Sequence, residues 1–141
     1  MSKFLILKKR KDFLRAARDI TMVSKTVMIQ AARSLSGESP HEARIGFTAT
    51  KRLGKAHIRN RVKRRLRAVM REVYETYTLK NVDYVLVARY DTYGCAFNDL
   101  RRDVIWALKK INKMIKAEEV PSDAAEEDAN RHVQKNSDIT D

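Results

Sequence analysis

Residues 51–71 read KRLGKAHIRNRVKRRLRAVMR, and they predict both a structural element and a surface chemistry. Ten of these 21 residues are Lys or Arg, and none is acidic. Gly54 divides the stretch into a loop, Lys51–Lys55, and a helix that we expect to run to about Tyr77. Apolar residues recur in this helix at steps of three and four, at Ile58, Val62, Leu66, Val69 and Val73. This spacing places them on one face and predicts a helix that docks through an apolar stripe.

The polar side chains of this helix lie off the apolar stripe. At about 100° per residue, those roughly opposite it are Asn60, Arg64, Arg67 and Arg71, and those to one side are Arg61 and Arg65. Like charges at this density repel one another, and a polyanion such as a phosphate backbone would relieve the repulsion. A solvated surface helix is the alternative, but such helices usually mix both signs. The stretch therefore favours a nucleic-acid-binding surface.

Length and composition indicate one small basic domain followed by an acidic tail. The chain has 141 residues, of which 43% are hydrophobic, and a net charge of +12. Residues 1–117 hold 28 Lys and Arg against 10 Asp and Glu, whereas residues 118–141 hold 2 against 8. We expect the domain at 1–117 to bind nucleic acid or an anionic membrane. We expect the tail at 118–141 to be disordered, because it has small and acidic residues without periodicity.

Patterns for catalysis, metal binding and membrane insertion are not found in the sequence. Cys95 is the single cysteine, which suits a reducing cytosol, and the three His residues have no metal-ligand spacing. Nucleotide-binding glycine motifs and clustered carboxylates are also missing, and we expect Asp99 and Asp103 to pair with Arg102 and other nearby basic residues. The apolar run at 4–7 is too short for a signal peptide or a membrane span. These features predict a soluble cytoplasmic protein with no catalytic residues and no metal site of its own.

Secondary-structure patterns along the chain give the order α-β-β-α-β-α. The predicted elements are a helix at 7–17, strands at 26–32 and 44–50, the basic helix, a strand at 84–89 and a helix at 96–116. Residues 34–42 are predicted as a loop, so the two strands around it are close enough in sequence to form an antiparallel pair. This order indicates an α+β fold, with a single sheet covered by helices.

Two aromatic residues have open interpretations. Phe13 in the first helix could be a core residue or a platform on which a base stacks. The apolar stripe predicted for the last helix is formed by Phe97, Leu100, Val104, Leu108, Ile111 and Ile115. Trp106 lies off this stripe, so it is either partly exposed or packed against a neighbouring element.

The stretch Arg44–Arg71 resembles the arginine-rich signature of the protein subunit of bacterial ribonuclease P. It joins a strand, a glycine loop and the helix start Arg59-Asn60-Arg61, and Ala88-Arg89 after a later strand also agrees. The similarity covers about residues 7–116. It implies a fold like domain 2 of ribosomal protein S5, with a left-handed β-α-β crossover, which is the rare hand.

The resemblance also implies a function. The family's protein assists a catalytic RNA that removes the 5′ leader of precursor tRNA, and that RNA carries the active site and most of the Mg²⁺. The resemblance thus implies two RNA partners, no membrane or DNA partner, and a protein that is inactive alone. A ribosomal or other structural RNA-binding module is the alternative. A free-standing nuclease is disfavoured by the missing carboxylate cluster.

Two sets of site residues follow from the resemblance. Those implied to bind the catalytic RNA are Lys51, Arg52, Lys55, Arg59, Asn60, Arg61, Lys63, Arg64 and Arg65, with Arg67 and Arg71 added on the same face. A cleft between the first helix and the sheet is implied to hold the leader, and its residues are Phe13, Ala17, Val27, Ile29 and Arg89. Ala17 stands where many relatives have a second aromatic residue, so we expect less stacking here.

Overall fold

The computed structural model describes residues 4–34 and 42–118. Its elements in chain order are β1 (Leu5–Ile6), α1 (Arg10–Arg18), β2 (Ile20–Val23), β3 (Val27–Arg33), β4 (Arg44–Thr48), α2 (Ala56–Tyr77), β5 (Val82–Ala88) and α3 (Phe97–Glu118). Short 3-10 turns at Lys51–Leu53 and Tyr90–Thr92 lie before α2 and α3. The predicted loop at 34–42 and the predicted tail lie almost wholly outside the described residues. Glu118, predicted as the first tail residue, is instead the last residue of α3.

A single five-stranded sheet forms the middle layer, in the order β1-β4-β5-β3-β2. β5 is its central strand, parallel to β4 and antiparallel to β3. The antiparallel pairing predicted between the strands at 26–32 and 44–50 is therefore wrong, because β5 lies between β3 and β4. The single-sheet α+β prediction is confirmed, and the parallel β4–α2–β5 unit is consistent with the implied crossover.

Two strands are missing from the predicted order. β1 pairs with β4 over two residues, and β2 pairs with β3 over four. Apolar runs this short do not distinguish a strand from other structure, so their partners in the sheet define them. The first helix was also predicted to begin too early. Leu7 continues the contact of β1 with β4 instead, since its N–H donates to the Ile45 carbonyl at 2.9 Å.

The helices cover both faces of the sheet. α2 and α3 pack on one face, where their predicted apolar stripes are buried apart from the half-buried ends Ile58 and Phe97. α1 packs on the other face, over a smaller cluster formed by Leu7, Ala16, Ala32 and Val85. Of the helices in the described ranges, none is long and apolar enough to cross a membrane.

A buried ion network fixes α1 to the sheet. The carboxylate of Asp83 on β5 is fully buried and accepts two hydrogen bonds from Arg44, each at 2.7 Å. Arg15 of α1 donates to the same carboxylate at 2.7 Å and to Asp12 at 3.2 Å. The hydrogen bond with Asp83 raises the pKa of Arg44 above its usual value. Arg15 and Arg44 are thus paired inside the protein, so their charges serve folding.

Candidate nucleic-acid interface

The eleven residues predicted to bind the catalytic RNA lie together on the basic loop and on α2. Eight are exposed, and they are Lys51, Arg52, Lys55, Asn60, Arg61, Arg64, Arg67 and Arg71. Arg59, Lys63 and Arg65 are half-buried. We call these eleven residues the α2 basic face. Those on α2 lie off the apolar stripe, which docks the helix against the sheet and leaves the remaining positions outward.

The beginning of α2 adds to this positive charge. Gly54 precedes the helix with φ of 134°, a region that glycine adopts more readily than other residues. The following Lys55 is at the N-cap position and provides no side-chain hydrogen bond, and the first turn has no acidic residue. Acidic residues there would stabilise the helix, because the macrodipole makes a helix N-terminus positive. This stabilisation is absent here, so no acidic side chain in the first turn of α2 offsets the positive charge of the loop and the helix N-terminus.

The arginines of α2 do not all have the same role. Arg65 donates from Nη1 to the Tyr93 carbonyl at 2.7 Å and from Nη2 to the Cys95 carbonyl, so it fixes the segment before α3. The guanidinium of Arg61 lies 5.5 Å from the centroid of the Tyr93 ring, within cation–π range. Arg64 and Arg71 are exposed and contact no charged or hydrogen-bonding partner among the described residues. They are the α2 cations most available to an external phosphate.

A second surface lies on the α1 side of the sheet. The strand register places four side chains in a row across β4, β5, β3 and β2, and they are Thr48, Val87, Met28 and Val23. Because side chains alternate along a strand, these four share a face with the residues that pack under α1. The first three are half-buried, and Val23 is exposed. We call this row the open strip. Phe13 of α1 lies over Gly46, in the smaller cluster that also contains Val87.

The predicted leader cleft is only partly assembled. Val27 and Ile29 are fully buried on the opposite face of the sheet, in the core with α3, so the structure does not bring them to Phe13. Alternation along β3 places Met28 and Gln30 on the α1 side in their stead. Ala17 is exposed on α1.

Arg89, the remaining residue of the predicted cleft, is exposed directly after β5. Its Nη1 donates to the Ser24 carbonyl at 2.6 Å, which ties it to the turn between β2 and β3. Arg89 is therefore held at the end of the sheet where the open strip lies.

Two exposed tyrosines were missed in the sequence. Tyr90 is 84% exposed and Tyr93 is 41% exposed, both near the 3-10 turn after β5. Thr92 holds this turn by accepting a hydrogen bond from the Arg89 N–H at 2.8 Å and by donating to the Thr26 carbonyl. Exposed aromatic rings beside arginines suit the stacking of unpaired bases. The signal was the pair of tyrosines in RYDTYG, in the segment that joins the predicted strand at 84–89 to the predicted helix at 96–116.

Two acidic residues near this end of the fold, Asp99 and Asp103, are engaged internally. Arg102 lies 3.2 Å from Asp99 and 3.8 Å from Asp103, so the predicted pairing is confirmed. Asp103 also accepts a hydrogen bond from the Thr26 hydroxyl at 2.6 Å. In residues 4–34 and 42–118, no group of three or more His, Cys, Asp or Glu side chains could hold a metal ion. The arrangement of exposed cations and aromatic rings is suited to binding a polyanion.

The comparisons with known proteins agree on one protein family. Residues 1–112 match the family model described as Ribonuclease P. The chain is 41% identical over 108 residues to the ribonuclease P protein component of Ruegeria pomeroyi, covering 76% of this chain and 86% of that protein. It is 42% identical over 105 residues to the corresponding protein of Gluconacetobacter diazotrophicus, covering 74% of this chain and 88% of that protein.

Solved structures share the fold. The RNase P protein of Staphylococcus aureus superposes with a TM-score of 0.62 at 23% identity, covering 77% of this chain and 96% of that one. The RNase P protein of Thermotoga maritima gives a TM-score of 0.62 at 22% identity, covering 74% and 94%. At this identity the similarity establishes the common architecture, namely one sheet with helices on its faces.

Proposed function

Because the chain belongs to the ribonuclease P protein family, we propose that its α2 basic face binds the catalytic RNA of that enzyme and its open strip holds the 5′ leader of precursor tRNA. The chain is a ribonuclease P protein component, and its role is the 5′ maturation of tRNA. The RNA subunit is its partner. Precursor tRNA is proposed as the second RNA, and we propose a cytoplasmic location with no membrane or DNA partner.

One observation supports the proposal most strongly. α2 buries its apolar stripe in the core while Arg64 and Arg71 remain exposed, without a partner among the described residues. A phosphate backbone would neutralise this charge and release counterions, which makes binding favourable and salt-dependent. Lysines and arginines on the outer face of a docked helix can bind a folded RNA without any rearrangement of the core.

The leader is assigned to the open strip because the chemistry of that surface differs from that of the α2 basic face. The strip offers half-buried apolar side chains, Met28 and Val87, with the half-buried Phe13 of α1 beside it and Arg89 at one end. Unpaired bases stack on aromatic rings and contact apolar groups, whereas a duplex hides its bases. A single-stranded leader therefore fits the strip better than the folded body of a tRNA does.

We further propose that the RNA subunit carries the active site and holds most of the Mg²⁺. The carboxylates Asp99 and Asp103 do not suit a metal site, because Arg102 and Thr26 already engage them. The described side chains bind and orient RNA. The protein freed of RNA is therefore expected to be inactive.

Reconstitution tests the proposal. Precursor tRNA is incubated with the protein freed of RNA, with the RNA subunit at low Mg²⁺, and with both, and the released leader is measured. We expect no cleavage by the protein alone and faster cleavage by the pair than by the RNA. Metal-dependent cleavage by the RNA-free protein would indicate a nuclease. Binding of the RNA subunit without any effect on cleavage would indicate a structural RNA-binding module.

A further inference from the structure

Trp106 projects from the outer face of α3. It is the only tryptophan in the chain, and 41% of its surface is exposed. The sequence left two options for this residue, and the structure gives the partly exposed one. A single exposed apolar residue is common on protein surfaces, so the inference depends on the charged residues that share this side of α3.

Four cations share the outer side of α3 with this ring. Arg102 lies four residues before Trp106, and Lys109, Lys110 and Lys113 lie three, four and seven residues after it, which places all four on the same side of the helix. Two acidic residues on this side, Asp99 and Asp103, precede the ring and pair with Arg102, whereas residues 104–117 contain no acidic residue. Lys110 and Lys113 are exposed and form no ion pair within the described part of the chain. From Trp106 to residue 117 this face thus carries only positive charge, whereas an ordinary solvated helix face mixes both signs.

The α3 face is a continuation of the α2 surface. The two helices lie side by side on one face of the sheet with their N-termini at the same end. Arg65 of α2 contacts the segment before α3, Glu72 pairs with Arg101 at 3.2 Å, and Asn112 donates to the Tyr77 carbonyl at 2.6 Å. The open strip is on the opposite face of the sheet. An RNA that reaches Trp106 is therefore the one that lies on α2, and the leader is excluded.

We propose that the outer face of α3, centred on Trp106, is a second contact for the RNA subunit, which rests on the proposed function. An unpaired base of that RNA stacks on the indole ring, and Lys110 and Lys113 contact the phosphates on either side of it. Aromatic rings bind unpaired bases by stacking, and lysines bind phosphate as point charges. The two helices together thus form one RNA-binding layer wider than the arginine-rich stretch.

The fluorescence of Trp106 tests the proposal in the unmodified full chain, because no other tryptophan contributes. The protein is titrated with the RNA subunit, with a short leader oligonucleotide and with vesicles of anionic phospholipid. N-acetyltryptophanamide serves as the control for light absorption by RNA. We expect saturable quenching by the RNA subunit and none by the leader oligonucleotide.

Variants test the same contact by affinity. Trp106→Ala should weaken binding of the RNA subunit about tenfold, as expected for the loss of one stacked base. Lys110→Gln combined with Lys113→Gln should flatten the dependence of log affinity on log salt by roughly 0.7–0.9 for each lost phosphate contact. The matched control is Lys8→Gln, which removes an exposed charge just before α1 and should leave both quantities unchanged.

The outcomes separate this inference from the proposed function. Quenching with the expected loss of affinity supports the contact. Binding of the RNA subunit in a gel-shift assay without any change in Trp106 fluorescence overturns the inference and leaves the proposed function intact. A fluorescence shift with vesicles but not with RNA also overturns it, in favour of a membrane contact. If the RNA subunit does not bind the protein at all, both the inference and the proposed function fail.

Discussion

The ring of Phe13 on α1 occupies the space where Gly46 on β4 would otherwise carry a side chain. A Cβ built at Gly46 would lie 2.6 Å from Phe13 Cε1 and 2.7 Å from its Cζ. The ring is therefore packed against the sheet backbone, yet Phe13 as a whole is only half-buried. Packing against the sheet does not exclude stacking, because part of the residue remains accessible beside the open strip.

Gly46→Ala should displace the Phe13 ring and reduce recognition of the leader. The Phe13 ring must move to admit the methyl group. Leu7 Cβ, at 3.3 Å from the added carbon, leaves the methyl group little room to shift instead. We expect a loss of stability of about 1–3 kcal/mol, as for overpacked cores. The ratio of affinities for precursor and mature tRNA should fall while the fold persists in a melting curve. An unchanged ratio would show that the position of the ring does not matter for the leader.

Phe13→Ala should weaken binding of precursor tRNA by about 1–3 kcal/mol if one base stacks on the ring. Mature tRNA, which has no leader, should be hardly affected, and the salt dependence should not change because no charge is lost. Affinities for both RNAs across a salt series are the measurement, with a melting curve to confirm folding. Leu14→Ala is the control, since Leu14 is an exposed apolar neighbour on α1. Equal losses of affinity for both RNAs would show that Phe13 has a purely structural role.

Arg64→Ala and Arg65→Ala form a matched pair of adjacent arginines. Arg64 is exposed, so its loss should weaken binding of the RNA subunit by about 1–2 kcal/mol with folding unchanged. Arg65 holds the Tyr93 and Cys95 carbonyls, so its loss should lower the free energy of unfolding by about 1–3 kcal/mol. Urea unfolding and RNA affinity are measured for both variants. The assignment is wrong if Arg64→Ala unfolds the protein or if Arg65→Ala leaves its stability unaltered.

Asp83→Ala should lower the free energy of unfolding by about 3 kcal/mol or more. The substitution removes the buried carboxylate and leaves Arg15 and Arg44 without their main partner, which is the costly way to break a buried ion network. Glu72→Gln is the control, because its ion pair with Arg101 is exposed at both ends and should contribute little. Chemical denaturation compares the two. Similar small losses for both variants would mean that the network does not anchor α1.

The helices were predictable because their period is visible in one segment of sequence. Val62, Leu66, Val69 and Val73 repeat at helical spacing, and the same spacing defines the buried face of α3. The pairing of strands was not predictable in the same way, because it depends on segments far apart in the chain. β5 enters between β3 and β4 only after α2 has been added, so neighbours in sequence are separated in the sheet.

The face of the sheet that carries the leader surface was also not predictable from the alternation of side chains along β3. The sequence of β3 shows that Val27 and Ile29 share one face and that Met28 and Gln30 share the other. It does not show which face α1 covers, since that depends on contacts such as Arg15 with Asp83, 68 residues apart. Asp83 itself stands at the start of an apolar strand, and only its two arginine partners explain why a carboxylate is buried there.

The five-stranded sheet has a further consequence for the position of cleavage. It lies between the open strip and the α2 basic face, and its five strands are hydrogen-bonded to their neighbours from one edge to the other. Two RNAs bound to its opposite sides would be separated by the sheet and by α2, a helix about 10–12 Å across with its side chains. The protein would thus maintain the spacing between the leader and the catalytic RNA from one turnover to the next.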